Sequence, residues 1–385
     1  MGRAMKVFIL AGEPSGDKLG GALMEGLKTL RPDVAFAGIG GAQMQAQGLK
    51  SQFPMEELSV MGLVEVLPKY RHLKRRIRET AEAVLAQKPD VLITIDAPDF
   101  SLRVAKLVKA ASGIRTVHYV APTVWAWREG RAAKMAKVID HVLALFPFEP
   151  PYMEAAGMAC DFVGHPVVAE PQATGEEAEA FRDSLGMLPG APLILVLPGS
   201  RRGEVSRLAE TFGQALVPVL AQRQNARIVV PAAGPVEDLV REVTSQWPGR
   251  VQVISAQDPA AKRAAFRAAD VALAASGTVS LELAAAATPM VIAYDMNWLT
   301  RQIIARMLKV DTVTLVNLVS ESRAVPEYLG ADCVPDRIAG ALLDVLEDPG
   351  AQSEAMALTM ERLGRGQEDP GLRAARAVLR GLEGH

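Results

Sequence analysis

The chain alternates short β-branched runs with Ala- and Leu-rich stretches, and this alternation occurs twice. Each run ends in Gly, Pro or Asp and leads into a stretch with helical periodicity, which is the pattern of βα units. The runs are almost continuously apolar, as in parallel strands that helices cover on both faces. In the first half of the chain the predicted strands are 6–11, 34–38, 91–95, 115–119 and 141–145.

A polar stretch containing Pro and Gly, 169–176, separates the two series and has the composition of a linker. We therefore predict an α/β chain of two doubly wound, Rossmann-like domains, 1–168 and 175–365, that face a cleft. The C-terminal helix 366–385 is expected to pack back on the first domain. Ligands of such sheets bind beyond the carboxyl ends of the strands. In the second domain the predicted strands are 193–197, 227–231, 251–254, 271–274 and 290–294.

The charge balance argues against a nucleic-acid partner, because 42 Lys and Arg nearly match 44 Asp and Glu. Cys160 and Cys333 have no metal-ligand spacing, so neither a metal site nor a disulfide framework is indicated. The apolar run 7–11 is too short for a secretory signal, and no uncharged apolar stretch is long enough to span a membrane. A cytoplasmic location is therefore expected.

A glycine-containing loop follows the first predicted strand and opens a helix. Its spacing is not that of a dinucleotide-binding loop, and no acidic residue ends a second strand as that site requires. The loop is a candidate for the acceptor side of a binding site, and a plain strand-to-helix turn capped by Ser15 or Asp17 is the alternative. The candidate residues are Glu13, Ser15, Gly16 and Asp17.

Two carboxylates, Asp96 and Asp99, follow the buried strand 91–95. A carboxylate at a strand end can accept the proton of an attacking hydroxyl, which is the role of a general base. Asp96 is the better candidate, whereas Asp99 directly follows Pro98 and fits a helix cap. A capping role for both is the alternative.

The loop after the strand 115–119 carries Trp125 and Trp127, and aromatic walls suit a sugar face. Packing in the core or at a domain interface accounts for the pair equally well. His118, inside the strand, fits a satisfied interior histidine.

Two loops of the second domain have the composition of an anion site, because each combines glycine and hydroxyl residues with a helix start. Arginine adds positive charge at the first loop, and Glu282 lies one helical turn beyond the second, where it can bridge two ribose hydroxyls. No Asp-x-Asp motif occurs, so the charge of a leaving group has to be met by dipoles and arginine rather than by a metal. The residues concerned are Ser200, Arg201, Ser276, Gly277, Thr278 and Glu282.

The stretch 60–78 interleaves apolar and basic residues at helical spacing, with six Lys or Arg between positions 69 and 78. This pattern predicts a helix that lies on a membrane surface. An ordinary amphipathic helix with its apolar stripe in the core is the alternative. The predicted lipid-contacting residues are Leu63, Val66, Leu67, Leu73, Lys74, Arg75 and Arg76.

Taken together, these motifs resemble the lipid-A-disaccharide synthases of Gram-negative bacteria, a family of GT-B glycosyltransferases. The resemblance runs nearly from end to end of the chain. It rests on AGEPSGDKLGG (11–21), MEELSVMGLVEVL (55–67), IDAPDF (95–100), HYVAPTVWAWR (118–128), FPFE (146–149), GHP (164–166), LPGSR with Glu204, ASGTVSLE (275–282) and VNLV (316–319).

The resemblance implies roles for individual residues. Asp96 would be the general base, Glu282 would bind the ribose, and Asn317 would lie near the nucleotide. The residues around the diphosphate would be Ser200, Arg201, Gly277 and Thr278, with Ser276 beside them.

The resemblance also implies the substrates, UDP-2,3-diacylglucosamine as donor and 2,3-diacylglucosamine 1-phosphate as acceptor. They would be joined by a β-1,6 link with inversion and loss of UDP, without a cofactor, at the cytoplasmic face of the inner membrane. A homodimer that exchanges C-terminal domains is a further expectation. Two other hypotheses stay open on the residues alone, namely a UDP-sugar 2-epimerase and a non-catalytic nucleotide-sugar-binding module.

Overall fold

The protein is described here by a computed structural model that covers residues 3–58, 63–125, 130–296 and 310–383, with only the backbone of 63–70. The chain forms two compact units. The first extends to Ala169 and also includes the segment from Gly366 onward, and the second comprises Glu170–Arg365. Each unit is built on its own parallel sheet.

The first unit contains a six-stranded parallel sheet in the order β2-β1-β3-β4-β5-β6. Its central strands are largely buried because helices cover both faces, and every residue of β3 is buried. The strands are β1 Lys6–Ala11, β2 Ala35–Ile39, β3 Val91–Ile95, β4 Arg115–Tyr119, β5 His141–Ala144 and β6 Ala159–Phe162.

Helices connect the parallel strands of the first unit. In chain order they are α1 Pro14–Leu30, α2 Ala42–Ala46, α3 Leu63–Gln87, α4 Pro98–Ala111, α5 Gly130–Met135 and α6 Pro150–Glu154, with short 3₁₀ helices at Met55–Glu57 and Pro166–Ala169.

The second unit repeats the plan with a six-stranded parallel sheet in the order β12-β11-β10-β7-β8-β9. Its core lies between the sheet and the helices, where Phe212 is fully buried. The strands are β7 Leu193–Leu197, β8 Arg227–Pro231, β9 Val251–Ile254, β10 Val271–Ala274, β11 Met290–Tyr294 and β12 Glu327–Leu329. The helices are α7 Gly175–Ser184, α8 Arg202–Gln222, α9 Glu237–Thr244, α10 Pro259–Ala268, α11 Val279–Ala285, α12 Leu315–Ser320, α13 Pro335–Glu347 and α14 Gly350–Arg362.

The last helix, α15 Pro370–Glu383, packs on the first unit rather than on the second. It crosses α1 closely, and a Cβ on Gly371 would lie 2.7 Å from the Ala22 carbonyl oxygen. Arg373 donates a hydrogen bond to the Phe162 carbonyl at 3.0 Å, and Arg380 pairs with Asp161 at 3.0 Å. These two contacts join α15 to the edge strand β6.

The predicted α/β class, with two parallel, doubly wound sheets, is confirmed. The sequence analysis missed two strands, β6 and β12, and placed β2 one residue early. Both missed strands lie at sheet edges and are half-buried, so they lack the apolar run that marks a central strand. None of the helices in the described part of the chain is long and apolar enough to cross a membrane.

Candidate functional site

A cavity of about 390 Å³ opens at the carboxyl edge of the second unit's sheet. It lies where parallel doubly wound sheets bind ligands, because the loops after the strands meet there. The loops after β7, β8 and β10 line it together with one face of α10. The polar lining residues are Ser200, Arg201, Glu204, Lys262, Ser276, Thr278 and Glu282, with Gly199 and Gly277 between them.

The loop after β7 turns sharply at Gly199, whose φ of 121° is closed to most side chains. The turn leads Ser200 and Arg201 to the start of α8, where Arg201 is the N-cap residue. The Glu204 carboxylate accepts the Ser200 N–H at 3.1 Å and pairs with Arg201 at 3.3 Å. The Glu204 carboxylate therefore binds the backbone amide of Ser200, a residue that the sequence analysis placed beside a diphosphate.

The loop after β10 brings Ser276, Gly277 and Thr278 to the same cavity. Gly277 has a φ of 157°, and a Cβ there would meet no other atom within 4 Å, so space remains beside this backbone. Glu282 follows on α11, and its carboxylate accepts a hydrogen bond from the Lys262 ammonium at 2.8 Å. The residues that the sequence placed around a diphosphate and a ribose therefore line one cavity.

Asn317 is the exception among the predicted nucleotide contacts. It is buried in α12 and does not line the cavity as the described residues form it. Its amide donates to the Val325 carbonyl at 2.9 Å and accepts the Val325 N–H at 3.0 Å. The Asn317 side chain thus fixes the 317–325 loop within the second unit.

Asp96 lies at the carboxyl end of β3, in a strand-to-helix turn of the first unit. Asp96 and Ala97 both have positive φ, 47° and 44°, a conformation that costs an L-residue about 1–2 kcal/mol. The Asp96 N–H donates to the Tyr119 carbonyl at 3.0 Å, and the Ser101 hydroxyl donates to the Asp96 carbonyl at 2.7 Å. These two bonds hold the strained turn, and the half-buried carboxylate has no hydrogen-bond donor among the described residues.

Neither Asp96 nor Asp99 caps α4, which corrects the capping interpretation. The N-cap residue is Ala97, and no side chain caps this helix. Asp99 is exposed in the first turn, where its negative charge is favourable beside the amino terminus of α4. The half-buried carboxylate at position 96 therefore makes no capping hydrogen bond to α4.

Residues of the loop 13–17 contribute more to packing within the first unit than the sequence indicated. Asp17 is buried and accepts the N–H groups of Gly41, Gln43 and Met44 at 2.8, 2.9 and 3.1 Å. It therefore caps α2, whereas the sequence analysis had considered it as a cap of α1.

The other residues of this loop differ in exposure. Gly16 lies against Ala11, where a Cβ would come within 3.3 Å. Ser15 is exposed. Glu13 is half-buried and is the N-cap residue of α1, but its side chain makes no capping hydrogen bond.

The interior interpretation of His118 agrees with its surroundings. The ring is buried, and Nδ1 lies 2.7 Å from the Thr94 hydroxyl. Burial lowers the pKa of His118 to about 4, so the ring is neutral near pH 7.

Trp125 packs inside the first unit, edge-on to Phe148 with 5.2 Å between ring centres. Trp125 is only 9% exposed, which favours the packing interpretation over a sugar wall. Trp127 lies outside the described residues.

Glu149 is a buried carboxylate that the sequence analysis did not interpret beyond its motif. It accepts the N–H groups of Leu145 and Phe146 at 3.1 and 3.0 Å. Burial raises the pKa of Glu149 to about 8, although these two hydrogen bonds act in the opposite direction.

Helix α3 contains the predicted membrane contacts. In its described part, some of these side chains contact the rest of the first unit and others are exposed. Arg76 turns inward and donates two hydrogen bonds to the Glu57 carboxylate at 2.8 and 2.9 Å, which lowers the pKa of Glu57. Leu73 is half-buried, whereas Lys74 and Arg75 are exposed. Arg76 therefore contributes less free charge than the sequence suggested. The side chains of Leu63, Val66 and Leu67 lie outside the described residues.

Lys262 is the cavity residue that sequence reasoning missed. It comes from the first turns of α10, after Asp258 and Pro259, and no strand-end motif draws attention to it. The Lys262 ammonium lies 5.1 Å from the centre of the Phe266 ring. The two residues are four apart in the chain, which indicates only that they lie on one face of α10.

Two solved structures share the fold of this chain. The UDP-GlcNAc 2-epimerase of Neisseria meningitidis bound to UDP-GlcNAc aligns with a TM-score of 0.63 at 13% identity and covers 99% of each chain. MurG of Acinetobacter baumannii aligns with a TM-score of 0.56 at 16% identity and covers 99% of this chain and 100% of its own. These likenesses show the GT-B fold.

Sequence comparison gives the family. The family model described as lipid-A-disaccharide synthetase matches residues 7–377. The lipid-A-disaccharide synthase of Ruegeria pomeroyi is 67% identical over 100% of this chain and 97% of its own, and that of Rhodospirillum centenum is 47% identical over 98% and 94%. The chain belongs to the lipid-A-disaccharide synthase family of glycosyltransferases.

Proposed function

We propose that this enzyme transfers 2,3-diacylglucosamine from its UDP carrier to 2,3-diacylglucosamine 1-phosphate, forming a β-1,6 disaccharide 1-phosphate and UDP. Family membership supports the reaction class. The single observation that carries the residue roles is the cavity of the second unit, in which two glycine turns and Arg201 meet a carboxylate one helical turn beyond Thr278.

The second unit binds the donor. The amino terminus of the 21-residue helix α8 and the Arg201 guanidinium attract the diphosphate, since both carry positive charge. The hydroxyls of Ser276 and Thr278 add hydrogen-bond donors. Glu282 accepts hydrogen bonds from the ribose hydroxyls.

The first unit supplies the base. Asp96 lies at the end of a buried strand, and its carboxylate has no hydrogen-bond donor among the described residues. Asp96 and Ala97 both have positive φ, and backbone strain of this kind collects at functional sites. These features support Asp96 as the group that accepts the proton of the acceptor hydroxyl.

The reaction is a single in-line displacement. The 6-hydroxyl oxygen of the acceptor attacks C1 of the donor sugar while its proton passes to the Asp96 carboxylate. The bond between C1 and the β-phosphate oxygen breaks, and UDP departs with the electron pair. Arg201 and the α8 amino terminus stabilise the charge that develops on UDP. Attack opposite the leaving group inverts the configuration at C1.

Helix α3 brings the enzyme to its lipid substrates at the cytoplasmic face of the inner membrane. Exposed Lys74 and Arg75 support this role, because cationic side chains near a membrane surface are attracted to anionic headgroups. The contact is peripheral.

The test is transfer of radiolabelled sugar from UDP-2,3-diacylglucosamine to 2,3-diacylglucosamine 1-phosphate, with and without lipid vesicles. We expect a labelled disaccharide phosphate and UDP released in equal amounts, only when the acceptor is present. An epimerised donor formed without acceptor would instead support the UDP-sugar 2-epimerase hypothesis. Donor binding without turnover across acceptors would contradict the proposed reaction.

A further inference from the structure

The donor cavity contains two carboxylates, Glu204 and Glu282, although its proposed ligand is an anion. Each is paired with a cation of the cavity wall, Glu204 with Arg201 and Glu282 with Lys262. The first pair comes from one loop and its helix, three residues apart. The second pair joins two helices, so Lys262 of α10 restrains the position of the Glu282 side chain on α11.

The Lys262 ammonium is held from two sides. It lies 2.8 Å from Glu282 Oε2 and 5.1 Å from the centre of the Phe266 ring, a cation–π distance. Phe266 is buried, so it gives the ammonium a fixed support. An ammonium held in this way restrains the Glu282 carboxylate, which is otherwise about one-third exposed and free to change rotamer.

The ion pair leaves Glu282 able to bind a ligand. An ionised carboxylate offers about four acceptor positions on its two oxygens, and the bond to Lys262 uses one. Oε1 therefore stays available to hydroxyl donors.

We propose that Lys262 is a positioning residue for the donor, which acts by holding the Glu282 carboxylate toward the ribose hydroxyls. The inference rests on the proposed donor site. It assigns to Lys262 a contribution to recognition of the ribose in particular, rather than a general attraction of anions.

The experiment compares two nucleotides by calorimetry, UDP and 2′,3′-dideoxy-UDP, which lacks both ribose hydroxyls. In the wild-type enzyme UDP should bind more tightly than the dideoxy compound. In Lys262→Met, binding of UDP should weaken about fivefold while binding of the dideoxy compound changes little, so the ratio of the two Kd values falls toward one. Lys262→Arg should restore the wild-type ratio.

Arg263→Met is the matched control. It removes one positive charge from the next residue of α10, which is exposed and does not line the cavity. It should keep the wild-type ratio, and the melting temperatures of all variants check the fold.

Equal weakening of both nucleotides in Lys262→Met would overturn the inference, because Lys262 would then act on the diphosphate or the base. The inference would also be wrong if Lys262→Met left both Kd values unchanged, or if the wild-type enzyme bound the two nucleotides equally tightly. Failure of the wild-type enzyme to bind UDP at all would instead contradict the proposed function.

Discussion

The Glu204 carboxylate accepts the backbone N–H of Ser200 at 3.1 Å, at the sharp turn that follows β7. The contact occupies an amide that the proposed diphosphate would use and keeps Arg201 paired at 3.3 Å. Diphosphate and Glu204 are both anionic, so they compete for the same donor and the same guanidinium. Glu204 thus occupies the position at the Ser200 amide that an oxygen of the proposed diphosphate would take.

Glu204→Gln should therefore tighten UDP binding by about fivefold, because the amide keeps a hydrogen-bond acceptor but loses the charge that repels the diphosphate. Calorimetry at low and high salt measures the effect, which should shrink as salt screens it. Glu210→Gln, an exposed position of the same helix, makes the same charge change and should leave Kd unaltered. Weaker UDP binding in Glu204→Gln would mean that the carboxylate is needed to shape the loop.

Asp96→Asn should lower the turnover of the transfer reaction by roughly 10²–10⁴-fold and spare UDP binding. Asparagine tolerates the left-handed backbone at this position, so the substitution removes the carboxylate without releasing the turn. Single-turnover transfer and UDP calorimetry separate the two effects. Asp99→Asn, three residues further on, should keep its activity. Near-normal turnover in Asp96→Asn would remove this residue from the role of base.

The Glu149 carboxyl predicts a pH dependence of stability. Its pKa rises from the usual 4.5 to about 8 in the folded protein, so the folded state keeps a proton that the unfolded state releases in this range. The free energy of unfolding should fall as pH rises from about 4.5 to about 8, by at most about 1.4 kcal/mol per pH unit, and should level off above.

Glu149→Gln should flatten this part of the profile, since glutamine does not titrate. Urea midpoints at pH 5, 6.5 and 8 provide the measurement. Glu154→Gln, exposed at the end of α6, serves as the control and should keep the wild-type slope. Parallel profiles for wild type and Glu149→Gln would show that Glu149 titrates normally.

The double substitution Lys74→Glu and Arg75→Glu should weaken binding to vesicles that contain anionic lipid by at least tenfold, since each cation contributes about 1 kcal/mol at such a surface. Sedimentation with anionic and zwitterionic vesicles measures the loss. Arg250→Glu with Arg263→Glu changes the charge equally on exposed positions of the second unit and should bind as the wild type does. Equal losses in the two double variants would mean that α3 has no special part in the contact.

The sequence predicted the strands that are buried on both faces. β3 and β7 are five-residue strands, almost entirely apolar, with every residue buried, and their bounds were predicted to the residue. β6 and β12 were missed because an edge strand that is partly exposed keeps polar residues such as Asp161 and Glu327. A strand that is buried on both faces therefore has a recognisable apolar sequence, whereas a partly exposed strand at a sheet edge does not.

The same reasoning explains which candidate site residues the structure brings together. Ser200 and Thr278 share a cavity because the strands before them are neighbours in a parallel sheet, an arrangement that the βα pattern implies. Lys262 reaches the cavity from a helix face, and side-chain direction on a helix depends on packing that a motif does not encode. Asn317 was assigned by resemblance alone, and its hydrogen bonds go to Val325.

The position of α15 on α1 has a consequence for synthesis. The first unit includes α15, which follows the second unit in the chain, and Arg373 and Arg380 join this helix to β6. The ribosome must therefore finish the entire second unit before the first can close its fold. A chain that stops at Arg365 should release a second unit of normal stability beside a first unit that melts earlier, and this order of completion reverses the usual one in which amino-terminal domains fold first.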